Sequence, residues 1–295
     1  MKAGIFDPYL DTLGGGERYT MTVAEGLARS GWLVEVFWDD ETLKPELAKR
    51  FGLSLENVQF VPNIFKHSNN LFRRWFQTHV YDTLFYVSDG SIPFLFGLKN
   101  ILHFQVPFKN VNGKNFLNRL KLKKIDKIVC NSKFTKKFID QEFGVKSLVI
   151  YPPVDVGNFH PSQKEKIILG VSRFSKSLHA KKQEVLIDVF KKLFTAGLKE
   201  WRLILAGGLR KEDQNYFDKL TKKAGGLPVE FLTNVTFSQL KKLYGQASIF
   251  WHAAGFGEDE NLYPERMEHF GIVVVEAMAA GCVPIAVGSG GLPEI

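Results

Sequence analysis

The sequence predicts an α/β protein made of two successive domains, and three observations support this fold class. Short apolar runs typical of strands alternate with helical segments, glycine-rich turns follow several strands, and the alternation is interrupted once. The interruption is Tyr151-Pro152-Pro153-Val154-Asp155, which predicts a hinge because proline cannot join a central sheet. We therefore expect one domain over 1–152 and a second over 153–295.

The composition is typical of a globular protein in a reducing compartment. The chain has 295 residues, 45% of them hydrophobic, which is enough for two domains of ordinary size. Its two cysteines, Cys130 and Cys282, are far apart and do not suggest a disulfide scaffold. No apolar run approaches the roughly 20 residues of a membrane span, and the N-terminus does not resemble a signal peptide. We expect a soluble, cytoplasmic protein.

The net charge of +8 favours anionic partners. Nucleic acid is disfavoured, because the sequence has no zinc-finger, RNP or homeodomain pattern. Two segments, Lys109–Lys124 and Phe65–Phe76, mix basic and bulky apolar residues, and the first contains no acid. This mixture is typical of helices that contact an anionic membrane, so peripheral contact at the inner membrane surface is one expectation. The alternative is a solvated helix face whose apolar side lies in the core.

The first domain begins with a βαβ unit. Lys2–Phe6 is a predicted strand, Asp7–Gly16 a loop ending in three glycines, Glu17–Ser30 a helix and Leu33–Trp38 the next strand. Such glycines let a ligand approach the N-terminus of a helix closely. The pattern is not a complete G-x-G-x-x-G, because Tyr19 stands where the third glycine is needed, so the dinucleotide fingerprint is weak.

A single histidine marks the edge of the first predicted sheet. His103 lies near the carboxyl end of the predicted strand Ile101–Phe104, and ligands of open α/β sheets bind at that edge. A lone histidine is more often structural, so both interpretations stay open. The remaining predicted elements of this domain are the strands Val58–Val61, Thr83–Ser88, Lys127–Cys130 and Ser147–Tyr151, and the helix Lys133–Phe143 capped by Asn131-Ser132.

In the second domain, the ends of the first two predicted strands carry ligand-capable residues. Arg173 and Lys181 are fixed positive charges suited to a diphosphate, and the loop Ser172–Ala180 also contains Lys176 and His179. Gly207 and Gly208 follow the next strand. The predicted strands are Lys166–Val171, Trp201–Ala206, Val229–Leu232, Ala247–His252 and Val283–Val287, and the predicted helices are Lys181–Ala196, Glu212–Ala224 and Phe237–Gly245. We interpret Glu258-Asp259-Glu260 as a solvated acidic loop and predict no metal site.

Two carboxylates, Glu268 and Glu276, stand eight positions apart in the stretch from Glu268 to Ile285. The pattern there is loop, helix, a turn at Gly281 and a buried strand. The N-terminus of such a helix offers free N–H groups and the positive end of the helix dipole to a phosphate. The alternative is that Ile272–Val275 forms a β-branched core strand and that both carboxylates are solvated, and spacing alone leaves the two open.

These motifs together resemble the retaining GT-B glycosyltransferases of family 4, over essentially the whole chain. The matching stretches, in order, are Gly14-Gly15-Gly16-Glu17-Arg18, Val129-Cys130-Asn131-Ser132-Lys133-Phe134-Thr135, Tyr151-Pro152-Pro153-Val154-Asp155, Val171-Ser172-Arg173-Phe174 with Lys181-Lys182-Gln183-Glu184, Glu268 with Glu276, and Gly290-Gly291-Leu292-Pro293-Glu294. Ser172 and Lys182 stand where the family usually has glycine. The family normally continues beyond the last stretch, so we expect the second domain to be incomplete and the chain to be C-terminally truncated.

The resemblance implies two Rossmann-like domains, acceptor-side and donor-binding, that face each other across a cleft. It implies catalytic roles for four residues: Arg173 and Lys181 on the donor diphosphate, Glu268 on the transferred sugar, and His103 facing that sugar. Lys182 or Lys176 could replace Lys181. Glu276 would bind the ribose, and the donor site would also include Gly15, Gly16, Gly207, Gly208, Phe270, Gly271, Ile272 and Val273. The family needs no metal and no cofactor besides the donor, a GDP-sugar or UDP-sugar.

The implied function is transfer of a hexosyl group to a glycan or lipid-linked acceptor with retention of configuration. The stretch Trp251-His252-Ala253-Ala254-Gly255-Phe256-Gly257 is similar to a branch of α-1,2-mannosyltransferases of lipid-linked oligosaccharide assembly, which favours GDP-mannose. A sugar-nucleotide epimerase of the same architecture is one alternative, and it would not need the paired Glu beside Arg173 and Lys181. A non-catalytic nucleotide-sugar-binding remnant is the other.

Overall fold

The computed structural model describes residues 1–66, 71–176 and 181–295. Two compact units divide the chain: unit 1 is Met1–Pro153 and unit 2 is Val154–Ile295. The division lies one residue from the boundary that the two prolines predict. His179 of the predicted basic loop and positions 67–70 of the basic segment Phe65–Phe76 lie outside the described residues.

Unit 1 is built on a seven-stranded parallel sheet with the order β3-β2-β1-β4-β5-β6-β7. Its strands are β1 (Lys2–Phe6), β2 (Leu33–Phe37), β3 (Val58–Val61), β4 (Thr83–Val87), β5 (Lys99–Phe104), β6 (Lys127–Cys130) and β7 (Leu148–Val149). The strand order changes direction between β1 and β4, as in Rossmann-like sheets. The predicted alternation is confirmed, although the last strand is shorter than the expected Ser147–Tyr151.

Helices cover both faces of this sheet. They are α1 (Gly15–Arg29), α2 (Leu43–Phe51), α3 (Leu71–Thr78), α4 (Phe116–Leu122) and α5 (Lys133–Phe143). The helix α5 begins where predicted, because the Ser132 hydroxyl accepts the N–H of Thr135 at 3.0 Å. The prediction missed α2, which tolerates Pro45 because proline fits the first turn of a helix.

The start of α1 differs from the prediction. Gly15 and Gly16 form the first turn of the helix, so placing them in the preceding loop was wrong. Gly14 is extended, and the Glu17 carboxylate reaches back to accept its N–H, which fixes the helix start two residues early. A Cβ at Gly16 would lie 2.0 Å from the amide oxygen of Gln105, so a larger residue there would displace the end of that side chain.

Unit 2 is built on a five-stranded parallel sheet with the order β10-β9-β8-β11-β12. Its strands are β8 (Glu165–Val171), β9 (Arg202–Gly207), β10 (Val229–Thr233), β11 (Ala247–His252) and β12 (Val283–Ala286), and its helices are α6 (Gln183–Thr195), α7 (Gln214–Lys223), α8 (Phe237–Gln246) and α9 (Ile272–Ala279). The order changes direction between β8 and β11. The predicted two-domain α/β class is confirmed.

The helix α9 settles the two interpretations of the stretch after Glu268. Residues Ile272–Ala279 are helical, so the alternative of a core strand over Ile272–Val275 is wrong. Val274 and Ala277 of α9 are buried in one core cluster with Leu169 of β8 and Phe250 of β11. The helix therefore packs on the central strands of the sheet, which holds its N-terminus at their carboxyl edge.

Candidate active site

The carboxyl ends of β8 and β11 form the edge of unit 2 where a ligand is expected. These strands are neighbours, but the chain leaves them toward opposite halves of the sheet. Such a topological switch point opens a crevice in which α/β proteins bind ligands. The residues immediately after the two strands are Ser172-Arg173 and Ala253-Ala254, and β11 itself ends at His252.

Three polar side chains meet at this edge. Lys181 Nζ lies 2.7 Å from Glu268 Oε2, and His252 Nε2 lies 3.0 Å from the same oxygen. The Lys181 and Glu268 side chains are mostly buried, with 19% and 15% of their surface exposed. The structure therefore brings together two of the four predicted catalytic residues, and it adds His252 to them.

The Glu268 carboxylate is held in its charged form. Burial by itself would raise the pKa of Glu268, but the positive charge of Lys181 and the hydrogen bond from His252 outweigh that effect. The pKa of Glu268 consequently lies well below its usual range. The site presents a fixed negative charge beside a fixed positive one, a pair that can accept hydrogen bonds from sugar hydroxyls and donate to a phosphate.

The tautomer of His252 follows from its surroundings. The backbone N–H of Ala254 points at His252 Nδ1 from 3.4 Å, so Nδ1 is the acceptor and Nε2 carries the proton that is donated to Glu268. His252 is buried, with 6% of its surface exposed. His252 was not among the residues predicted for the site. Its position at the end of a predicted strand was the signal that could have found it.

A buried amide fixes the loop that carries Arg173. Gln183 Nε2 donates to the carbonyl oxygen of Arg173 at 2.7 Å and to the Ser172 hydroxyl at 2.8 Å. Gln183 Oε1 lies 2.9 Å from the hydroxyl of Tyr216. Because Gln183 is the first residue of α6, this loop is tied to a helix at the edge of the sheet. Sequence reasoning missed this role.

The two adjacent lysines have different partners. Lys181 binds Glu268, whereas Lys182 Nζ lies 2.6 Å from Glu258 Oε1, and Arg266 Nη1 lies 3.0 Å from Glu258 Oε2. The pKa of Glu258 is lowered by the hydrogen bonds from Lys182 and Arg266. The prediction of a solvated acidic loop was therefore wrong for Glu258, whose carboxylate is bound by two cationic side chains. Its neighbour Glu260 accepts the N–H of Gly290 at 3.1 Å.

The N-terminus of α9 lies directly after the Glu268 loop. Gly271 has a φ of 103°, a conformation that favours glycine, and an added Cβ would lie 3.6 Å from Glu268 Cγ. The N–H groups of Ile272 and Val273 precede the first intrahelical bond, which Val274 makes to Gly271. The Phe270 side chain is buried, so only its backbone can reach a ligand.

Two further glycines hold the Glu268 loop in place. Gly291 N–H donates to the carbonyl oxygen of Glu268 at 2.8 Å. A Cβ at Gly290 or Gly291 would lie 2.4 Å from the Glu268 carbonyl oxygen or 2.1 Å from that of His269. The stretch Gly290-Gly291 therefore allows close contact between two backbone segments.

Glu276 and Gly207 are engaged inside unit 2. The Glu276 carboxylate is buried and accepts the hydroxyl of Tyr244 at 3.0 Å, on the side of α9 that packs against α8. A Cβ at Gly207 would lie 1.8 Å from the carbonyl oxygen of Ser172, so the backbone there requires glycine. Gly208 accepts the N–H of Phe174 at 2.8 Å. Each residue thus has a structural role beside its predicted one.

In unit 1, carboxylates surround the start of α1. Glu17, which caps the helix, is buried, and so is Asp7, whose Oδ2 accepts the Thr20 hydroxyl at 2.6 Å. Burial and the nearby charge of Glu17 raise the pKa of Asp7 to about 7. Glu17 therefore already occupies the positive end of the helix dipole, and the role of Gly15 and Gly16 in the donor site stays a prediction.

His103 lies inside unit 1 with no exposed surface. Its ring packs edge-on against Tyr19 at 4.6 Å and at a tilt of 31° against Phe85 at 5.2 Å. Neither ring nitrogen has a hydrogen-bond partner among the described residues. Burial lowers the pKa of His103 to about 3, and the nearby backbone of Val129 offsets this only in part. In this conformation the ring cannot touch a ligand.

Comparison with known proteins assigns both units. The family described as "Glycosyltransferase Family 4" matches residues 13–158, and the family described as "Glycosyl transferases group 1" matches residues 157–295. Among solved structures, sucrose-phosphate synthase from Thermosynechococcus elongatus is similar with a TM-score of 0.67 at 16% identity, covering 99% of this chain and 82% of that one. At this identity the likeness shows the GT-B fold alone.

The chain is also similar to curated mannosyltransferases. It is 34% identical over 157 residues to the "GDP-Man:Man(3)GlcNAc(2)-PP-Dol alpha-1,2-mannosyltransferase" of Xenopus tropicalis, covering 50% of this chain and 30% of that protein. The human enzyme of the same description is 31% identical over 184 residues, covering 56% of this chain and 35% of that protein. The chain thus spans about a third of the length of these relatives. With both of its units matched, the chain belongs to the family 4 glycosyltransferases.

Proposed function

We propose that this chain transfers a hexosyl group from a nucleotide-diphospho-sugar to a glycan or lipid-linked acceptor, with retention of configuration and without a metal ion. GDP-mannose is the favoured donor. The observation that carries the proposal is the buried pair of Lys181 and Glu268 at the switch point of unit 2, next to the N-terminus of α9.

The donor chemistry follows from the charges at this edge. Lys181 has three N–H donors, so it can keep its bond to Glu268 and still donate to a phosphate oxygen. Together with Arg173 and the N–H groups of Ile272 and Val273, it would stabilise the negative charge of the leaving diphosphate. These fixed charges supply what a metal ion would otherwise provide.

Glu268 would orient the transferred sugar. As an ionised carboxylate it accepts hydrogen bonds from sugar hydroxyls, and its contacts with Lys181 and His252 hold it in one place. The acceptor hydroxyl would attack the anomeric carbon on the same face from which the diphosphate departs, which retains the configuration. The role of Glu276 on the ribose requires its carboxylate to be reached from outside the helix packing, and it stays a prediction.

The donor and acceptor classes rest on the relatives. The Xenopus tropicalis and human proteins are described as acting with GDP-mannose on a glycan carried by dolichyl diphosphate. We extend that chemistry to this chain: a mannosyl group as the unit transferred and an isoprenoid-diphosphate-linked glycan as the acceptor.

A thermal-shift series tests the donor. Binding stabilises the folded protein by mass action, about 2.7 kcal/mol at a ligand concentration one hundred times Kd. GDP-mannose should raise the Tm, whereas UDP-glucose and ADP-glucose should not. If UDP-glucose alone raises the Tm, the donor is a UDP-sugar and not GDP-mannose. If no nucleotide-sugar raises the Tm, the proposed donor site is wrong.

A transfer assay tests the chemistry. GDP release and product formation are measured with GDP-mannose and a mannose-containing glycan on a synthetic isoprenoid diphosphate, with and without EDTA. Glu268→Gln should abolish transfer with the fold intact. Glu258→Gln is the matched control, because Glu258 is paired with the adjacent Lys182 and has a similar side-chain exposure, 16% against 15%. Equal activity of the two variants would contradict the role of Glu268.

A further inference from the structure

Two short helices of unit 1 expose apolar residues that a solvated helix would bury. On α3, Phe72 is 75% exposed and Phe76 is 65% exposed, and on α4, Phe116 is 73% exposed. Leu117, Leu120 and Trp75 are exposed as well. The residue of α3 that is buried is Thr78, and that of α4 is Asn118. Most apolar side chains of the two helices therefore face away from the core, and Leu122 at the end of α4 is the one that packs against it.

The exposed aromatic residues of α3 form one surface. Phe72, Trp75 and Phe76 are spaced at i, i+3 and i+4, which places them on the same side of a helix. The Phe72 and Trp75 rings lie 6.0 Å apart, and the Trp75 ring stacks on His79 at 4.7 Å. The exposed aromatic rings of α3 therefore form one continuous apolar stripe and are not isolated exposed side chains.

The helices α3 and α4 flank one pocket, so their exposed faces belong to the same region of unit 1. The pocket has a volume of about 810 Å³. Leu71 and Arg74 of α3 line it, and so do Leu117 and Lys121 of α4. The opposite wall contains Phe6, the last residue of β1, and Pro8 and Trp38, which follow β1 and β2. An amphipathic molecule bound in the pocket would pass between the two helices.

The two helical segments carry only basic charge, whereas the floor of the pocket between them also contains Asp39, Asp40 and Asp89. Residues 71–78 and 109–124 contain no aspartate or glutamate. Lys114, Arg119, Lys123 and Lys124 are exposed around α4, and Arg73 is exposed on α3. Basic residues beside exposed aromatic and leucine side chains match the two layers of an anionic bilayer surface, its phosphate headgroups and the acyl chains beneath them.

We propose that α3 and α4 form a docking surface for a bilayer rich in anionic phospholipid. Phe72, Phe76 and Phe116 insert at the level of the acyl chains, while Arg119, Lys123 and their neighbours contact phosphate headgroups. This surface is independent of the donor site, since Lys181 and Glu268 belong to unit 2.

Vesicle co-sedimentation tests the surface. The protein should sediment with vesicles of phosphatidylglycerol and phosphatidylcholine, and far less with phosphatidylcholine alone. Arg119→Gln with Lys123→Gln should lower the binding constant roughly 20- to 30-fold at low salt, since each basic residue contributes about a fivefold factor near an anionic surface. Lys219→Gln with Lys222→Gln on α7 is the matched control and should bind as the unmodified protein does.

The apolar contribution is tested separately. Phe72→Ser with Phe76→Ser should also weaken binding, whereas Phe256→Ser with Leu262→Ser, exposed residues of unit 2, should not. Vesicles should shift tryptophan emission to shorter wavelength in the unmodified protein and much less in Trp75→Phe. Three results would overturn the proposal. They are equal binding to neutral vesicles, no binding of the unmodified protein, and unchanged binding of both surface variants. If GDP-mannose still raises the Tm of these variants, the membrane surface and the donor site are separate.

Discussion

Lys181 and Glu268 form a partly buried ion pair at 2.7 Å although 87 positions separate them in the chain. The next residue, Lys182, forms a comparable pair with Glu258 at 2.6 Å. The two pairs have similar exposure, yet Glu258 also contacts Arg266, whereas the second partner of Glu268 is His252. This difference makes the pair of Lys181 and Glu268 the more vulnerable one.

Lys181→Met should destabilise unit 2 more than Lys182→Met. Removing Lys181 leaves a buried carboxylate without a cation, a change that costs about 3–5 kcal/mol in comparable sites. Glu258 keeps Arg266 when Lys182 is replaced, so that variant should lose about 1 kcal/mol or less. Denaturant unfolding at neutral pH measures the free energy of unfolding of both variants. A larger loss of stability in Lys182→Met than in Lys181→Met would contradict this prediction.

The acid sensitivity of unit 2 should depend on the same pair. Because the pKa of Glu268 is lowered in the folded state, its stabilisation is present above the pKa of the unfolded chain. It is lost as the pH falls through the lower folded value. Glu268→Gln should therefore show a smaller loss of stability between neutral and strongly acidic pH than the unmodified protein, measured as Tm across a pH series.

His252 should act by positioning Glu268. His252→Phe removes the hydrogen bond to a charged group, and loss of such a bond should lower kcat/KM roughly ten- to hundredfold. It should also move the acidic limb of the pH–rate profile upward, because the pKa of Glu268 rises without that donor. His252→Gln keeps a donor and should recover part of both effects. A purely structural residue would change stability without moving the pH profile.

Asp7 should make unit 1 less stable as the pH rises. Its folded pKa of about 7 lies above the ordinary value of 3.8, so the folded state binds the extra proton between these values. Stability is therefore lost as the pH rises from about 4 to 7, at about 1.4 kcal/mol per pKa unit at most. Asp7→Asn removes this cost, so its stability relative to the unmodified protein should increase over that interval. A constant difference across the pH series would contradict the buried, protonated state.

His103 should act in the opposite direction. The pKa of His103 is about 3 in the folded state and 6.5 ordinarily. Above pH 6.5 the imidazole is neutral in the folded and the unfolded chain, so its burial costs no proton. Stability is lost as the pH falls from 6.5 toward the folded value. His103→Leu should reduce that acid-induced loss in thermal unfolding scans. If transfer activity survives the substitution, the predicted contact between His103 and the sugar is wrong. If transfer activity is lost while the fold stays intact, the protein must adopt a conformation that exposes the ring.

The sequence was sufficient for the sheet architecture because each element carries its own local signal. The short apolar runs over Ile167–Val171 and Leu203–Ala206 are typical of buried parallel strands, and Ser132 defined the start of α5. Less was predictable where the signal was weak. The helix start at Gly15 depends on the Glu17 carboxylate and Gln105, which no local pattern reveals.

By itself, the sequence determined the two-domain α/β fold, the family, and the loops that carry Arg173, Lys181 and Glu268. Periodicity and motif order are local properties, so they can be read along the chain. Only the tertiary structure decided which lysine binds Glu268, that His252 is its second partner, and that Glu276 and His103 point inward. Those facts depend on contacts between segments far apart in sequence, and they exist only once the parallel sheet has brought β8, β11 and the Glu268 loop to one edge.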